Sequence, residues 1–114
     1  MTMIVSTLKI LTAPRSRAKV VSTLAAQLGP TRVQPGCRKC DLYQDVEYPN
    51  AITLVEEWES QADLDPHLRS EDYRAVLGAM ELAQERPVVQ FDTVTRRIGR
   101  RRLGQRTRRR RRPT

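Results

Sequence analysis

The segment from Cys37 to Ser60 limits the possible folds most, because it consists of two strand-like runs joined by a turn. The first run is CRKCDLYQDVE, the turn is YPN at positions 48 to 50, and AITLVEEWES follows directly. Proline and asparagine favour tight turns, and alternating side chains favour strands. We therefore predict an antiparallel hairpin whose first strand extends from Cys37 to about Glu47.

The flanking sequence supplies two more strands, and alternation divides the second hairpin strand into two faces. MIVSTLKIL at positions 3 to 11 and VVQFDTV at positions 88 to 94 are rich in β-branched residues, which favours strands. Successive side chains of a strand point to opposite sides. In the second hairpin strand one face carries Ile52, Leu54, Glu56 and Trp58, and the other carries Thr53, Val55, Glu57 and Glu59.

Two long helices are predicted between the strands. The first begins near Pro14, where a missing N–H does no harm, and we expect Gly29 and Pro30 to end it. The second begins after Ser70, a residue type suited to the N-cap. Its apolar stripe is Tyr73, Val76, Leu77, Met80 and Ala83.

A short helix should begin at Ser60, and Pro66 is expected to interrupt it after little more than one turn. The predicted order is then β-α-β-β-α-β, which is the ferredoxin-like arrangement of the α+β class. In this arrangement both long helices lie on one face of an antiparallel sheet. A length of 114 residues is consistent with a single domain of this kind.

The net charge of +8 comes entirely from the C-terminal residues. Residues 1 to 95 contain 10 Lys or Arg and 13 Asp or Glu, whereas residues 96 to 114 contain 11 Arg and no acidic residue. We therefore divide the chain into a mildly acidic domain, residues 1 to 95, and an arginine-rich tail, residues 96 to 114, which we expect to be disordered.

Cys37 and Cys40 form a CxxC pattern that also occurs in disulfides, redox pairs and zinc sites. A separation of three on a strand sends the two side chains to opposite faces. A zinc site needs about four ligands, and this chain has two Cys and one His. We expect two reduced thiols and no metal site.

The opening segment MTMIVSTLKIL does not resemble a secretory signal, because Lys9 lies within it and a small-residue cleavage site is missing. No run approaches the roughly 20 apolar residues that span a bilayer. We expect a cytoplasmic protein that does not associate with membranes.

Several motifs occur in an order that resembles one known family. They are MIVSTLKI on the first strand, PGC opening the second, YQD before PN, and EEWES followed by HL and a serine. In these motifs, across about residues 3 to 95, the chain resembles the antibiotic biosynthesis monooxygenase family, in its quinol monooxygenase-like branch.

The resemblance implies a homodimer in which two sheets face each other as a dimeric α+β barrel, with a pocket between sheet and helices in each subunit. It also implies oxidation of a small phenolic, quinol or polyketide-like aromatic substrate by dioxygen, without a metal or flavin cofactor. His67 is then the candidate catalytic base, because imidazole titrates near neutral pH. The candidate substrate-binding residues are Trp58, Tyr43, Tyr73 and Leu77.

The sequence departs from its relatives at three positions. Asp72 stands where many relatives have a second histidine, which argues against a two-histidine mechanism. In the haem-degrading branch an axial His and an Asn stand where this chain has Leu77 and Thr7. Leucine and threonine do not supply those functions, so haem degradation is not expected.

Two other functions compete with this interpretation. The fold hosts unrelated activities, so the chain is alternatively a non-catalytic dimer that binds a small molecule. The arginine tail is alternatively a nucleic-acid-binding segment that contacts phosphates with little sequence preference. We do not favour the nucleic-acid hypothesis, because basic residues also bind acidic protein surfaces.

Overall fold

The computed structural model describes residues 2–95 and 97–99, which contain four strands, three α-helices and a short 3-10 helix (Pro14–Ser16) ahead of the first of them. The strands are β1 (Met3–Leu11), β2 (Cys37–Gln44), β3 (Ala51–Trp58) and β4 (Val88–Val94). The helices are α1 (Arg17–Arg32), α2 (Gln61–Leu68) and α3 (Glu71–Met80). The strands form one antiparallel sheet in the order β2-β3-β1-β4. The predicted ferredoxin-like α+β class is therefore confirmed.

The core lies between the helices and one face of this sheet. Burial alternates along β3, and the face that carries Ile52 and Leu54 is buried, as predicted. Leu8 and Ile10 of β1 pair with these two residues and extend the same face. Burying one such side chain contributes roughly 1.5–3 kcal/mol, so this face fixes how the sheet meets the helices.

A β-bulge changes the positions of the two cysteines. Cys37 pairs with Trp58 and Lys39 pairs with Glu57, so β2 has one more residue than β3 in this stretch. Such an insertion shifts the alternation of the bulged strand. The prediction that Cys37 and Cys40 point to opposite faces is therefore wrong, because both pack against the helix-side core.

Strand β2 ends at Gln44, three residues before its predicted end near Glu47. The Asp45 carboxylate accepts hydrogen bonds from the backbone N–H groups of Glu47 and Tyr48, at 2.8 and 2.9 Å. An aspartate that binds its own following backbone favours a turn over a strand, which explains the early end.

Helix α1 continues to Arg32, so the prediction that Gly29 and Pro30 end it is wrong. Pro30 lacks the N–H that would bind the carbonyl of Ala26, but both residues are exposed and water can satisfy that carbonyl. Arg32 holds the last turn against β2, because its Nε donates to the Cys40 carbonyl at 2.9 Å.

Helix α2 begins at the predicted N-cap, where the Ser60 hydroxyl accepts from the Asp63 N–H at 3.2 Å. The predicted interruption at Pro66 is wrong, because the helix continues to Leu68. Pro66 removes only the hydrogen bond to the Ala62 carbonyl, and Ala62 is exposed. The remaining turn places His67 against the sheet.

The predicted arginine-rich tail lies outside the described residues, apart from positions 97–99. Within the described part, the Arg97 guanidinium lies 3.5 Å from the Glu57 carboxylate of β3. Among the described residues, none of the helices is long and apolar enough to cross a bilayer.

Candidate active site

The only histidine of the chain lies in the last turn of α2 and faces the sheet. His67 is 2% exposed, and its carbonyl accepts a hydrogen bond from the Ser70 hydroxyl at 2.7 Å. Alternation along β3 brings Glu56 and Trp58 to the same side of the sheet, and both are buried. The helix turn and the strand therefore present these three side chains to one another.

Hydrogen bonds connect these side chains in a buried polar cluster. His67 Nε2 lies 3.1 Å from Oε1 of Glu56 and 3.4 Å from Oε2. Trp58 Nε1 donates to Oε1 of the same carboxylate at 2.9 Å. His67 Nδ1 lies 2.9 Å from Oε1 of Gln34, which comes from the loop between α1 and β2.

A hydrogen bond to Asp72 orients the Gln34 amide toward His67. Gln34 Nε2 donates to Oδ2 of Asp72 at 3.2 Å, which directs Gln34 Oε1 toward His67 Nδ1. An oxygen acceptor at 2.9 Å from Nδ1 pairs with the tautomer of His67 that carries its hydrogen on Nδ1.

Two aromatic rings enclose the imidazole. Trp58 stacks on His67 with ring centroids 4.7 Å apart and an interplanar angle of 29°. Tyr73 of α3 meets His67 edge to face, at 5.2 Å and 72°. The resulting environment excludes water, which strengthens the electrostatic interaction between His67 and Glu56.

The pKa values of neighbouring groups reflect burial first and the Glu56 carboxylate second. Burial raises the pKa of the Tyr73 phenol, and the nearby Glu56 carboxylate raises it further. The same two causes, in the same order, raise the pKa of the Cys40 thiol to about 12. Tyr73 therefore keeps its proton at neutral pH and remains a hydrogen-bond donor.

An open cleft lies on the outer side of this cluster. It has a volume of about 310 Å³ and is lined by Gln34, Pro35, Ala62, Asp63, Pro66 and Ser70. The resemblance implied a pocket between sheet and helices, but Trp58, Leu64 and Tyr73 are packed around His67 there. Of the cleft-lining residues, Gln34 hydrogen-bonds the His67 ring, whereas Ser70 hydrogen-bonds the His67 backbone carbonyl.

The structure brings together three of the five residues predicted for the site. His67, Trp58 and Tyr73 are in mutual contact through the histidine ring. Tyr43 pairs with Thr53 on the opposite face of the sheet and is 48% exposed. Leu77 is 45% exposed on α3. The catalytic role of His67 stays a prediction, and so do the substrate-binding roles of the other four residues.

Two residues of the cluster were not among the predicted site residues. Glu56 had a detectable signal, because a carboxylate occupies a strand face that otherwise carries Ile52, Leu54 and Trp58. Gln34 had no periodic signal, since it lies in a short loop. Within residues 2–95 and 97–99, no group of three or more His, Cys, Asp or Glu side chains is arranged to hold a metal ion.

Comparison with known structures identifies relatives with the same fold. The structure of Rv0793 from Mycobacterium tuberculosis is 27% identical, covers 78% of this chain and 91% of its own, and has a TM-score of 0.72. The structure of PA3566 from Pseudomonas aeruginosa is also 27% identical, with coverages of 86% and 97% and a TM-score of 0.71.

Sequence comparison leads to the same family. The Mycobacterium tuberculosis protein named "Putative monooxygenase Rv0793" is 34% identical over 70 residues, which is 59% of this chain and 68% of that protein. The family model described as antibiotic biosynthesis monooxygenase matches residues 3–79, more than half of the chain. The chain therefore belongs to the antibiotic biosynthesis monooxygenase family.

Proposed function

We propose that this protein is a monooxygenase that oxidises a small phenolic or quinol-type aromatic molecule with dioxygen, without a metal or flavin cofactor. The observation that supports this most is the buried pair of His67 and Glu56, 3.1 Å apart and enclosed by aromatic rings. A base in a dry environment is what removal of a phenolic proton requires.

In this proposal His67 takes the substrate proton at Nδ1. Glu56 holds the Nε2 side of the ring, as a carboxylate orients the imidazole in many acid–base sites. Nδ1 is the ring nitrogen on the side of Gln34, which lines the cleft. In the tautomer that carries its hydrogen on Nε2, His67 donates to Glu56, and the lone pair of Nδ1 accepts the substrate proton once the Gln34 amide has moved aside.

The overall reaction needs no external reductant. A quinol that loses its hydroxyl proton becomes an electron-rich anion that reacts directly with dioxygen. One oxygen atom enters the ring at a carbon that loses hydrogen, and the other leaves as water. The ring supplies all four electrons and becomes a hydroxyquinone. In this scheme Tyr73 donates a hydrogen bond to substrate or peroxide oxygen, and Trp58 forms one wall of the site.

We further propose that the active protein is a homodimer in which the two sheets face each other. The sheet face away from the helices carries apolar side chains that no described helix covers, among them Val5, Tyr43, Val55 and Val88. Uncovered apolar patches of this kind commonly mark an interface. A second copy of the same face would cover them with two-fold symmetry.

The test is oxygen uptake by the purified protein with a panel of quinols and anthrones, after treatment with a chelator and confirmation that no flavin is bound. We expect turnover by the wild-type protein and a loss of at least about 100-fold in kcat for His67→Ala. Added imidazole should restore part of that loss, which separates lost chemistry from lost structure. Wild-type turnover no higher than buffer, or turnover by His67→Ala equal to wild type, would contradict the proposal.

The closed packing around His67 favours a second candidate function. Both ring nitrogens are already occupied, by Glu56 and Gln34. This is consistent with a dimer that binds a small aromatic molecule in the outer cleft and does not oxidise it. Calorimetric binding of a quinol without any oxygen uptake would support this alternative.

A further inference from the structure

We propose that the outer cleft binds a neutral, hydroxyl-bearing aromatic molecule and that the Gln34 side chain is a removable stopper between this cleft and His67. In the bound state the ligand hydroxyl takes the place of Gln34 Oε1 on His67 Nδ1. The catalytic meaning of this exchange rests on the function proposed above, but the binding site and the stopper can be tested without turnover.

The first argument is the position of Gln34. It lines the cleft on one side and contacts His67 Nδ1 on the other, at 2.9 Å. His67 itself is 2% exposed and does not line the cleft. A ligand in the cleft therefore meets Gln34 before it can reach the imidazole.

The second argument is that the side chain of Gln34 can move while its backbone stays fixed. The Gln34 N–H donates to the Thr31 carbonyl at 3.0 Å, and the Gln34 carbonyl accepts from the Cys37 N–H at 3.1 Å. The side chain is held by two further hydrogen bonds, to His67 and to Asp72. A ligand hydroxyl can replace the first of these, and solvent can replace the second because Asp72 is only partly buried.

The third argument is the chemistry of the cleft lining. Pro35, Ala62 and Pro66 form apolar walls, which suit a flat aromatic ring. The Ala62 carbonyl lacks its regular helical donor, because Pro66 has no N–H. The Asp63 carboxylate adds a negative charge at the rim. Acceptors and negative charge favour a ligand with hydroxyl donors and disfavour carboxylates and phosphates.

The stopper can be tested through the chemical reactivity of His67, since the chain contains only one histidine. The experiment measures carbethoxylation of the tag-free, full-length protein by diethyl pyrocarbonate. Gln34→Ala lacks the two hydrogen bonds that hold the cluster closed. We therefore expect His67 in this variant to react at least about tenfold faster than in the wild type. Gln61→Ala is the matched control, because Gln61 is exposed and bonds only to Asp65 on its own helix.

Equal modification rates for Gln34→Ala and wild type would overturn the role of Gln34 as a stopper. If Gln34→Ala does not fold, as judged by circular dichroism, Gln34→Asn replaces it. Asparagine keeps the amide but is one methylene shorter, so it cannot reach His67 and Asp72 together, and the same acceleration is expected.

The binding site can be tested with hydroquinone as the probe. The Cε1–H resonance of His67 should shift on addition of hydroquinone but not on addition of 1,4-dimethoxybenzene, which has the same ring without donors. Equal shifts with both probes, or no shift with hydroquinone, would overturn the recognition of hydroxyl groups. Hydroquinone binding without oxygen uptake would instead leave this inference standing and remove the proposed monooxygenase function.

Discussion

At the scale of single residues, Glu56 is the side chain on which the buried cluster depends. Its carboxylate contacts Trp58 Nε1 and His67 Nε2. Burial is the main cause of the raised pKa values of Tyr73 and Cys40, and the charge of Glu56 is the second cause. A buried carboxylate is costly unless it is paired and hydrogen-bonded. The cluster therefore stabilises the fold only while all of its members are present.

Glu56→Gln removes the charge and keeps the acceptor oxygen for Trp58. We expect the free energy of unfolding to fall by about 3 kcal/mol, because His67 then loses its buried partner. Urea unfolding of Glu56→Gln, His67→Gln and the double variant measures this. The sum of the losses in the two single variants should exceed the loss in the double variant, because the two residues are in direct contact. Strictly additive losses would contradict the pairing.

The Cys40 thiol predicts how stability depends on pH. Its pKa is raised from 9.0 to about 12 in the folded protein. Between these values the unfolded chain releases the thiol proton and the folded chain keeps it, so stability falls as the pH rises. We expect the stability of the wild type relative to Cys40→Ala to fall by about 1 kcal/mol between pH 8 and pH 10. A constant difference over this range would contradict the raised pKa.

At the scale of elements, the loop between α1 and β2 and the start of α2 determine each other's position. The Gly36 carbonyl accepts from the Glu59 N–H at 2.8 Å, just before the Ser60 cap. Gly36 has a φ of +83°, and a Cβ at this position would collide with the Asp63 side chain. The loop that carries Gln34 can therefore approach α2 only because residue 36 is glycine.

Gly36→Ala should lower the free energy of unfolding by about 2 kcal/mol, through the strained φ and the contact with Asp63. Gly78→Ala is the matched control, because Gly78 lies in α3 with open space around its Cβ position. Alanine there should stabilise the protein by about 0.5–1 kcal/mol. Thermal or urea unfolding compares the two variants, and effects of the same sign would contradict the account of Gly36.

The sequence predicted the strands and helices better than the bulge and the helix ends. The alternation of side chains identified the buried face of β3, because burial of apolar side chains on one face of a strand produces that alternation. The bulge after Cys37 escaped prediction, since an extra strand residue leaves no mark on composition. Pro30 and Pro66 were read as helix ends, but each removes a single hydrogen bond to an exposed carbonyl.

The candidate site was predictable only in part. The sequence assigned Trp58 and His67 to one site but not their ring contact, and the contact with Gln34 depends on where a loop crosses a helix. Tyr43 was assigned without its face being known, and its pairing with Thr53 places it on the other side of the sheet.

At the scale of the whole molecule, the uncovered sheet face predicts a dimer. Val55 lies in the middle of that face, between Thr7 of β1 and Asp41 of β2. Val55→Lys should convert a dimer into a monomer, because each copy would bring an unpaired charge into the apolar interface. Sedimentation equilibrium measures this, with Leu77→Lys on the helix layer as the control. A monomeric wild type, or a dimer that survives Val55→Lys, would contradict the proposed interface.

The stacking of the only tryptophan on the only histidine also gives the protein an internal optical reporter. An indole ring 4.7 Å from an imidazole is quenched when that imidazole carries a positive charge, since the excited ring passes an electron to it. The intrinsic emission of the chain therefore reports the charge and the position of one side chain. A change in the charge or position of His67 can therefore be followed in real time through tryptophan fluorescence, without a label.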